Sequence, residues 1–307
     1  MVSLGLAPQT LGILSIIFAS FLWGTTGVSA TFAPTVNALA IGAAAMGIGG
    51  LLQAVLALGS IRHHRAQLHA QRRYYLVGAL GVAIYPLAFY SSMRLAGVTI
   101  GTVVSIGAAP VLSFVIEMIM EQAQLTRRWV IATALGLAGI ICLCVADRAA
   151  LPISPSQAQL VLGIALGLVA AFTYAMYSWA ARRLIQHGVA SRAAMGAIFG
   201  LGGLLLMPVL LVTGAAFLDS WQNLTVGLYM ACVPMFLGYL CFGYGLTHIQ
   251  TSTAITISLI EPMVAAVLAV LLVGERLALF GWVGIGLICF CLVCITWPSL
   301  TPKPHRA

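Results

Sequence analysis

The sequence predicts an all-α integral membrane protein with ten transmembrane helices, arranged as two inverted five-helix repeats. Three observations lead there. Of 307 residues, 62% are hydrophobic and only 7% charged, where a soluble domain carries roughly 25% charged residues, and the mean hydropathy is +1.08. Turn residues and charges divide the apolar sequence into ten stretches, each long enough at about 1.5 Å per residue to cross a hydrocarbon core of roughly 30 Å. The second half repeats landmarks of the first, and an odd number of crossings per half makes the second enter the membrane upside down.

From Met1 to Ile61 no residue is charged. That is too long for one crossing, and Phe32-Ala33-Pro34-Thr35 supplies the turn between helix 1 at about 10–33 and helix 2 at about 36–59. No Lys or Arg precedes Arg62, so helix 1 lacks the basic n-region of a cleaved signal peptide and reads as a first membrane span. Arg62 to Arg73 reads as a polar basic loop. Helix 3 follows at about 74–95, helix 4 at about 99–120 and helix 5 at about 128–146. Asp147 to Gln159, containing Pro152 and Pro155, links the halves 1–150 and 151–307. Ser156-x-x-Gln159 has the form of a capping box opening helix 6 at about 157–181. Helices 7 to 10 fall at about 192–216, 223–246, 250–273 and 278–297. Pro86, Pro110, Pro234 and Pro262 lie inside helices 3, 4, 8 and 9 and are the expected hinges, because proline removes a helical hydrogen bond.

Counting basic residues at alternate loops sets the orientation. Eleven of the fourteen Lys and Arg fall on one side, around Arg62 to Arg73, Arg127-Arg128, Arg182 to Arg192 and the tail with Lys303 and Arg306. Arg94, Arg148 and Arg276 fall on the other. The positive-inside bias therefore puts both termini in the cytoplasm. It also accounts for the net charge of +8 without a nucleic-acid partner, for which the chain has no polar body to carry a basic face.

The repeat shows in matched landmarks. Ile100-Gly101-Thr102 leads to Ala109-Pro110 and on to Ala134-Leu135-Gly136-Leu137-Ala138-Gly139; Ser252-Thr253-Ala254 leads to Glu261-Pro262 and on to Gly281-Trp282-Val283-Gly284-Ile285-Gly286. Ser258-Leu259-Ile260-Glu261-Pro262-Met263 puts a carboxylate and a helix breaker near the midplane of helix 9. A charge at that depth costs at least about 2.5 kcal/mol and normally faces a wet cavity or a partner. A broken helix there is tolerated where it lines a cavity. Because Ala109 occupies the matching place in the first half, the fold itself does not demand an acid. Glu261 suits either the proton of a coupled exchange or the ammonium of a substrate. A purely structural role, bonding backbone groups freed by Pro262, stands beside these.

Two five-helix halves, Ser20-Phe21-Leu22-Trp23-Gly24 in helix 1, Leu259-Ile260-Glu261-Pro262 in helix 9 and Val273-Gly274-Glu275-Arg276-Leu277 after it resemble the drug/metabolite transporter superfamily, the EamA-type permeases. The resemblance covers essentially the whole chain, and within the superfamily it is most similar to the YddG-type bacterial exporters of aromatic amino acids. It implies a secondary transporter of the inner membrane that exports amino acids or related small metabolites by alternating access, without a cofactor. The first half departs from the pattern at Ala109 and at Met120-Glu121-Gln122.

Aromatic stripes supply the expected cavity walls. Tyr85, Phe89 and Ser92 follow i, i+4, i+7 on helix 3, and Met235, Tyr239 and Phe242 do so on helix 8. Tyr174, Tyr177 and Ser178 share a face of helix 6, and Trp23 with Thr26 marks helix 1. Phenol and indole groups at mid-depth need partners, so a wet chamber that stacks on a ring is their natural direction, although such spacing also builds plain core. With Glu261, these aromatic residues form the expected substrate site.

Other features read blandly. Gly163-x-x-x-Gly167, Gly196-x-x-x-Gly200 and Gly136-x-x-Gly139 are close-packing seams between helices. Glu117 and Glu121 read as surface partners of Arg127 and Arg128, Glu275 and Arg276 as interfacial, and His248 as a solvated turn residue. All seven cysteines lie in apolar runs and read as small buried hydrophobes. Cys289 and Cys291 point about 200° apart on a helix, so they do not converge with Cys294 on a metal. An exporter of other metabolites or drugs is the alternative within the class. A membrane enzyme acting on lipid-linked substrates needs clustered acids or histidines, whereas the six acidic residues are scattered. A channel needs a ring of charge or a carbonyl filter, and no such motif is present.

Overall fold

The computed structural model describes residues 7–147, 156–273 and 277–297. Among them, ten helices are long and apolar enough to cross a membrane: α1 Pro8–Thr31, α2 Ala38–His63, α3 Arg72–Ala96, α4 Ile100–Glu121, α5 Arg127–Val145, α6 Gln157–Gln186, α7 Ser191–Leu218, α8 Trp221–Gly245, α9 Thr251–Leu272 and α10 Leu279–Thr296. Each falls within a few residues of its predicted position. Arg148, Pro152, Pro155, Gly274, Glu275, Arg276, Lys303 and Arg306 lie outside the described residues, and with them most of the linker and the Gly-Glu-Arg motif.

Local chemistry sets the helix ends. Pro8 sits in the first turn of α1, where a missing N–H leaves nothing unsatisfied. Asn37 caps α2 by accepting from the Leu39 N–H at 2.9 Å. Ser156 and Gln159 form the predicted capping box, their side chains accepting from each other's N–H at 3.3 and 3.0 Å. The basic stretch Arg62 to Arg73, in contrast, is not an open loop. α2 continues to His63, a short helix covers Arg65–Ala70, and α3 begins at Arg72. Ala66, Gln67 and Ala70 are good helix formers, and the buried Leu68 anchors the turn to the bundle.

Both prolines at the matched landmarks break their helices. α4 is broken at Ala108, between the helical segments Val98–Gly107 and Ala109–Glu121, and α9 between Thr251–Ile257 and Ile260–Leu268. Pro110 and Pro262 have no N–H to offer the carbonyls of Ile106 and Ser258. In α9 the Ser258 carbonyl is served by the Glu261 N–H at 2.9 Å, a tighter 3₁₀-type closure. α8 instead widens into π-helical turns over Ala231–Leu237, around Pro234. Two carbonyls of that stretch are held from the first half, Pro234 by the Trp23 indole N–H at 2.9 Å and Met235 by the Gln53 amide at 3.3 Å. α3 runs unbroken through Pro86, so that expected hinge coincides with no irregularity.

The main helix pairings join one half to the other. α2 packs along α7 and α5 along α10; α1 lies on α8 and α9, as α6 lies on α3 and α4. Exchanging the halves maps this set onto itself. Small residues line the seams, as predicted. A methyl group added at Gly139 of α5 would stand 2.6 Å from Ile288 Cγ1 and 2.8 Å from the Gly284 carbonyl of α10. The cysteines are less uniformly buried than predicted. Cys291 is buried, while Cys232 and Cys289 are exposed on the outside of the bundle, because a helix apolar all round turns only part of its surface to its neighbours.

Candidate functional site

The aromatic residues of α1, α3, α6 and α8 meet in one cluster where the two halves join. The Trp23 ring stands 4.7 Å from Tyr239 and 5.3 Å from Phe242, and meets Tyr174 edge-on at 6.5 Å. Tyr85 stacks on Phe89 at 5.6 Å and touches Tyr174 at 5.6 Å and Tyr177 at 5.9 Å. Four hydroxyls of the cluster are satisfied. Tyr177 and Tyr239 share a 2.6 Å hydrogen bond. Ser258 Oγ donates to the Ile255 carbonyl at 2.8 Å, which leaves Tyr174 to donate to Ser258 at 3.0 Å.

Burial is uneven across the cluster. Trp23, Tyr174, Tyr177, Tyr239 and Phe242 are buried, whereas Tyr85, Phe89 and Glu261 are half-buried. Ser92 is turned away from the site. Its buried hydroxyl donates to the Gly163 carbonyl at 2.7 Å, at the close approach of α3 and α6. Gly24 lets α1 lie against the break in α9, since a methyl there would stand 2.9 Å from the Glu261 carbonyl.

Glu261 lies just past that break. Its carboxylate has no hydrogen bond or ion pair among the described residues, and the backbone itself closes the gap left by Pro262. Along α9 the surroundings change at this residue. From Ala254 to Ile260 every residue is buried, while from Glu261 to Val270 only Val264 is.

Two further aromatic residues belong to the cluster. Tyr90 packs on Phe89 at 5.2 Å, and its ring faces Gly42 beside Pro86. A stripe counted from Tyr85 skips position i+5, but Tyr90 is i+4 from Pro86, which was the available signal. Phe199 of α7 sits 5.5 Å from Tyr177 and 4.4 Å from Tyr239; its local pattern is indistinguishable from ordinary core.

At the edge of the bundle that carries the basic loops, Glu117 and Glu121 do not pair with Arg127 and Arg128. Glu117 is 1% exposed. Its carboxylate accepts from the N–H groups of Thr251 and Ser252 at 2.8 and 3.2 Å and from Ser252 Oγ at 2.5 Å, with Arg182 at 3.9 Å. Glu121 accepts from the Trp179 indole at 2.8 Å and lies 3.9 Å from Arg183. Arg128 donates to the Cys294 and Ile295 carbonyls at the end of α10, at 2.6 and 2.8 Å. The first N–H groups of α9 and the last carbonyls of α10 have no partner within their helices, and charges of the matching sign supply one. One network thus ties α4 of the first half to α6 and α9 of the second and closes that edge. Its partners stand up to 135 positions apart in sequence.

The family model of the EamA-like transporter family matches residues 10–145 and 161–297, once in each half. The chain is 30% identical over 294 residues to the uncharacterized transporter YwfM of Bacillus subtilis (strain 168), covering 95% of each chain. It is 25% identical over 299 residues to the uncharacterized inner membrane transporter YicL of Salmonella typhimurium, covering 94% of this chain and 96% of that one. A crystal structure with 18% sequence identity superposes with a TM-score of 0.76 over 94% of this chain and 96% of the other, a likeness of fold. The two family matches take in every helix of the aromatic cluster and the broken α9, and the chain belongs to the EamA-like transporter family.

Proposed function

We propose that the protein is a secondary transporter of a bacterial inner membrane that exports amino acids, aromatic ones foremost, or related small amphipathic metabolites. The observation that carries this reading is Glu261, a carboxylate without a hydrogen-bond or ion-pair partner among the described residues, just past a helix break beside the aromatic cluster's Ser258. Such a group attracts an ammonium, and the aromatic cluster, with Tyr85 stacked on Phe89, suits an aromatic side chain. The matched breaks in α4 and α9, the helix pairings and the family match in each half support reading 1–150 and 151–307 as inverted repeats. Rocking one repeat against the other exposes a midplane site to each side in turn. With both termini in the cytoplasm, the Glu117 network closes the cytoplasmic side, and the half-buried stretch of α9 beyond Glu261 faces outward.

Counterflow of radiolabelled phenylalanine, leucine and serine in proteoliposomes tests this. Exchange is expected for phenylalanine, and the Glu261→Gln protein is expected to insert normally yet lose exchange or its pH dependence. Wild-type rates and pH dependence in that variant would remove Glu261 from the mechanism. Exchange of other metabolites or drugs without any amino acid would overturn the substrate class.

A further inference from the structure

A cavity lies away from the aromatic cluster, on the flank of the bundle. It measures about 510 Å³ and is framed by α2, α3, α7 and the short helix Arg65–Ala70. Its walls are apolar, with Leu51 and Ile61 on α2, Leu76 on α3 and Leu204 on α7. Its rim is basic, formed by Arg65, His69 and Arg72, all exposed. None of the three has an acidic partner among the described residues, where the ion pairs are those of Arg182 and Arg183 with Glu117 and Glu121. The floor is sealed from the interior. At Gly196 and Gly200, α7 meets Ala57 and Ala54 of α2 too closely to admit a methyl group. The groove therefore opens toward the bilayer and not toward the substrate cluster.

Depth and charge together define the occupant. From Ile61 to Leu51 the wall descends ten residues of α2, about 15 Å, which is about half of a hydrocarbon core of roughly 30 Å. A free anion finds partners only at the rim, and a neutral lipid finds them only below it. We propose that the groove holds one anionic phospholipid, with its phosphate at Arg65, His69 and Arg72 and an acyl chain along α2 and α7. Basic pockets between helices at a membrane edge are suited to such headgroups. The proposal rests on the membrane placement of the chain and not on its substrate.

The full-length protein, purified in neutral detergent, would be titrated with phosphatidylglycerol, phosphatidylcholine and inorganic phosphate while Tm and retained lipid are followed by thermal melting and native mass spectrometry. Phosphatidylglycerol is expected to raise Tm with one lipid retained, and the other two are not. The double variant Arg65→Gln/Arg72→Gln is expected to weaken phosphatidylglycerol binding roughly 25-fold, about fivefold per charge. Arg94→Gln, at the opposite end of α3, is expected to leave it unchanged. Equal shifts with phosphatidylcholine, an equal shift with inorganic phosphate, or unaltered binding in the double variant would each overturn the proposal. So would a dimer that buries this face in place of lipid.

Discussion

Replacing Glu117 by glutamine keeps the size of the side chain and removes the charge at the centre of the network on the basic edge. Glu117 accepts three hydrogen bonds from the start of α9 and faces Arg182, whose side chain is 17% exposed, at 3.9 Å. Hydrogen bonds to a charged group contribute about 1.5–3 kcal/mol each, and glutamine retains weaker, neutral versions of some. Breaking a buried ion pair by removing one partner costs about 3–5 kcal/mol; the long separation and the partial exposure of Arg182 place this case near the lower end, at about 3 kcal/mol. Because the network joins the two halves, that loss falls on the state in which this edge is closed. It corresponds to roughly a hundredfold change in the ratio of closed to open. Ala254, buried in the first segment of α9, is a suitable reporter position. In a cysteine-free background carrying Ala254→Cys, alkylation by an impermeant thiol reagent added from the basic side is expected to accelerate about a hundredfold on Glu117→Gln. Arg182→Gln is expected to act in the same direction, and the double variant no more than the larger single one, since both remove one contact. An unchanged alkylation rate in a normally expressed Glu117→Gln protein would show that something other than this network holds the edge closed.

Three further outcomes are expected. Trp23→Phe keeps the ring contacts but strips the Pro234 carbonyl of its 2.9 Å donor, at a cost of about 1–3 kcal/mol; an unchanged Tm would mean that the carbonyl is served elsewhere. Gly139→Ala is expected to lower Tm through overpacking against α10, which costs about 1–3 kcal/mol. The same change at Gly286, where an added methyl meets nothing within 4 Å, is expected to be neutral or stabilising by up to about 1 kcal/mol through helix propensity; equal effects at the two sites would contradict the seam. Reporter fusions within Arg62 to Arg73 and after residue 307 are both expected to read cytoplasmic, and an outside signal from either would reverse the topology.

The ten spans, the breaks at Pro110 and Pro262, the Ser156 capping box and the glycine seams were all readable along the chain. Each depends on a property of neighbouring residues: enough apolar length to cross lipid, an N–H that proline lacks, a side chain within reach of its own helix end, or a missing Cβ. Short-range reading failed where composition masked propensity, as in the helix Arg65–Ala70, which its charges disguised as a loop. The partners of Glu117, the turning of Ser92 toward Gly163 and the full burial of five aromatic rings while Tyr85, Phe89 and Glu261 stay half-buried were decided only in the assembled bundle. Helical periodicity says which residues share a face of one helix but not which helix that face will meet. Across this bundle the meeting partners come from opposite halves of the chain, so no local pattern encodes them.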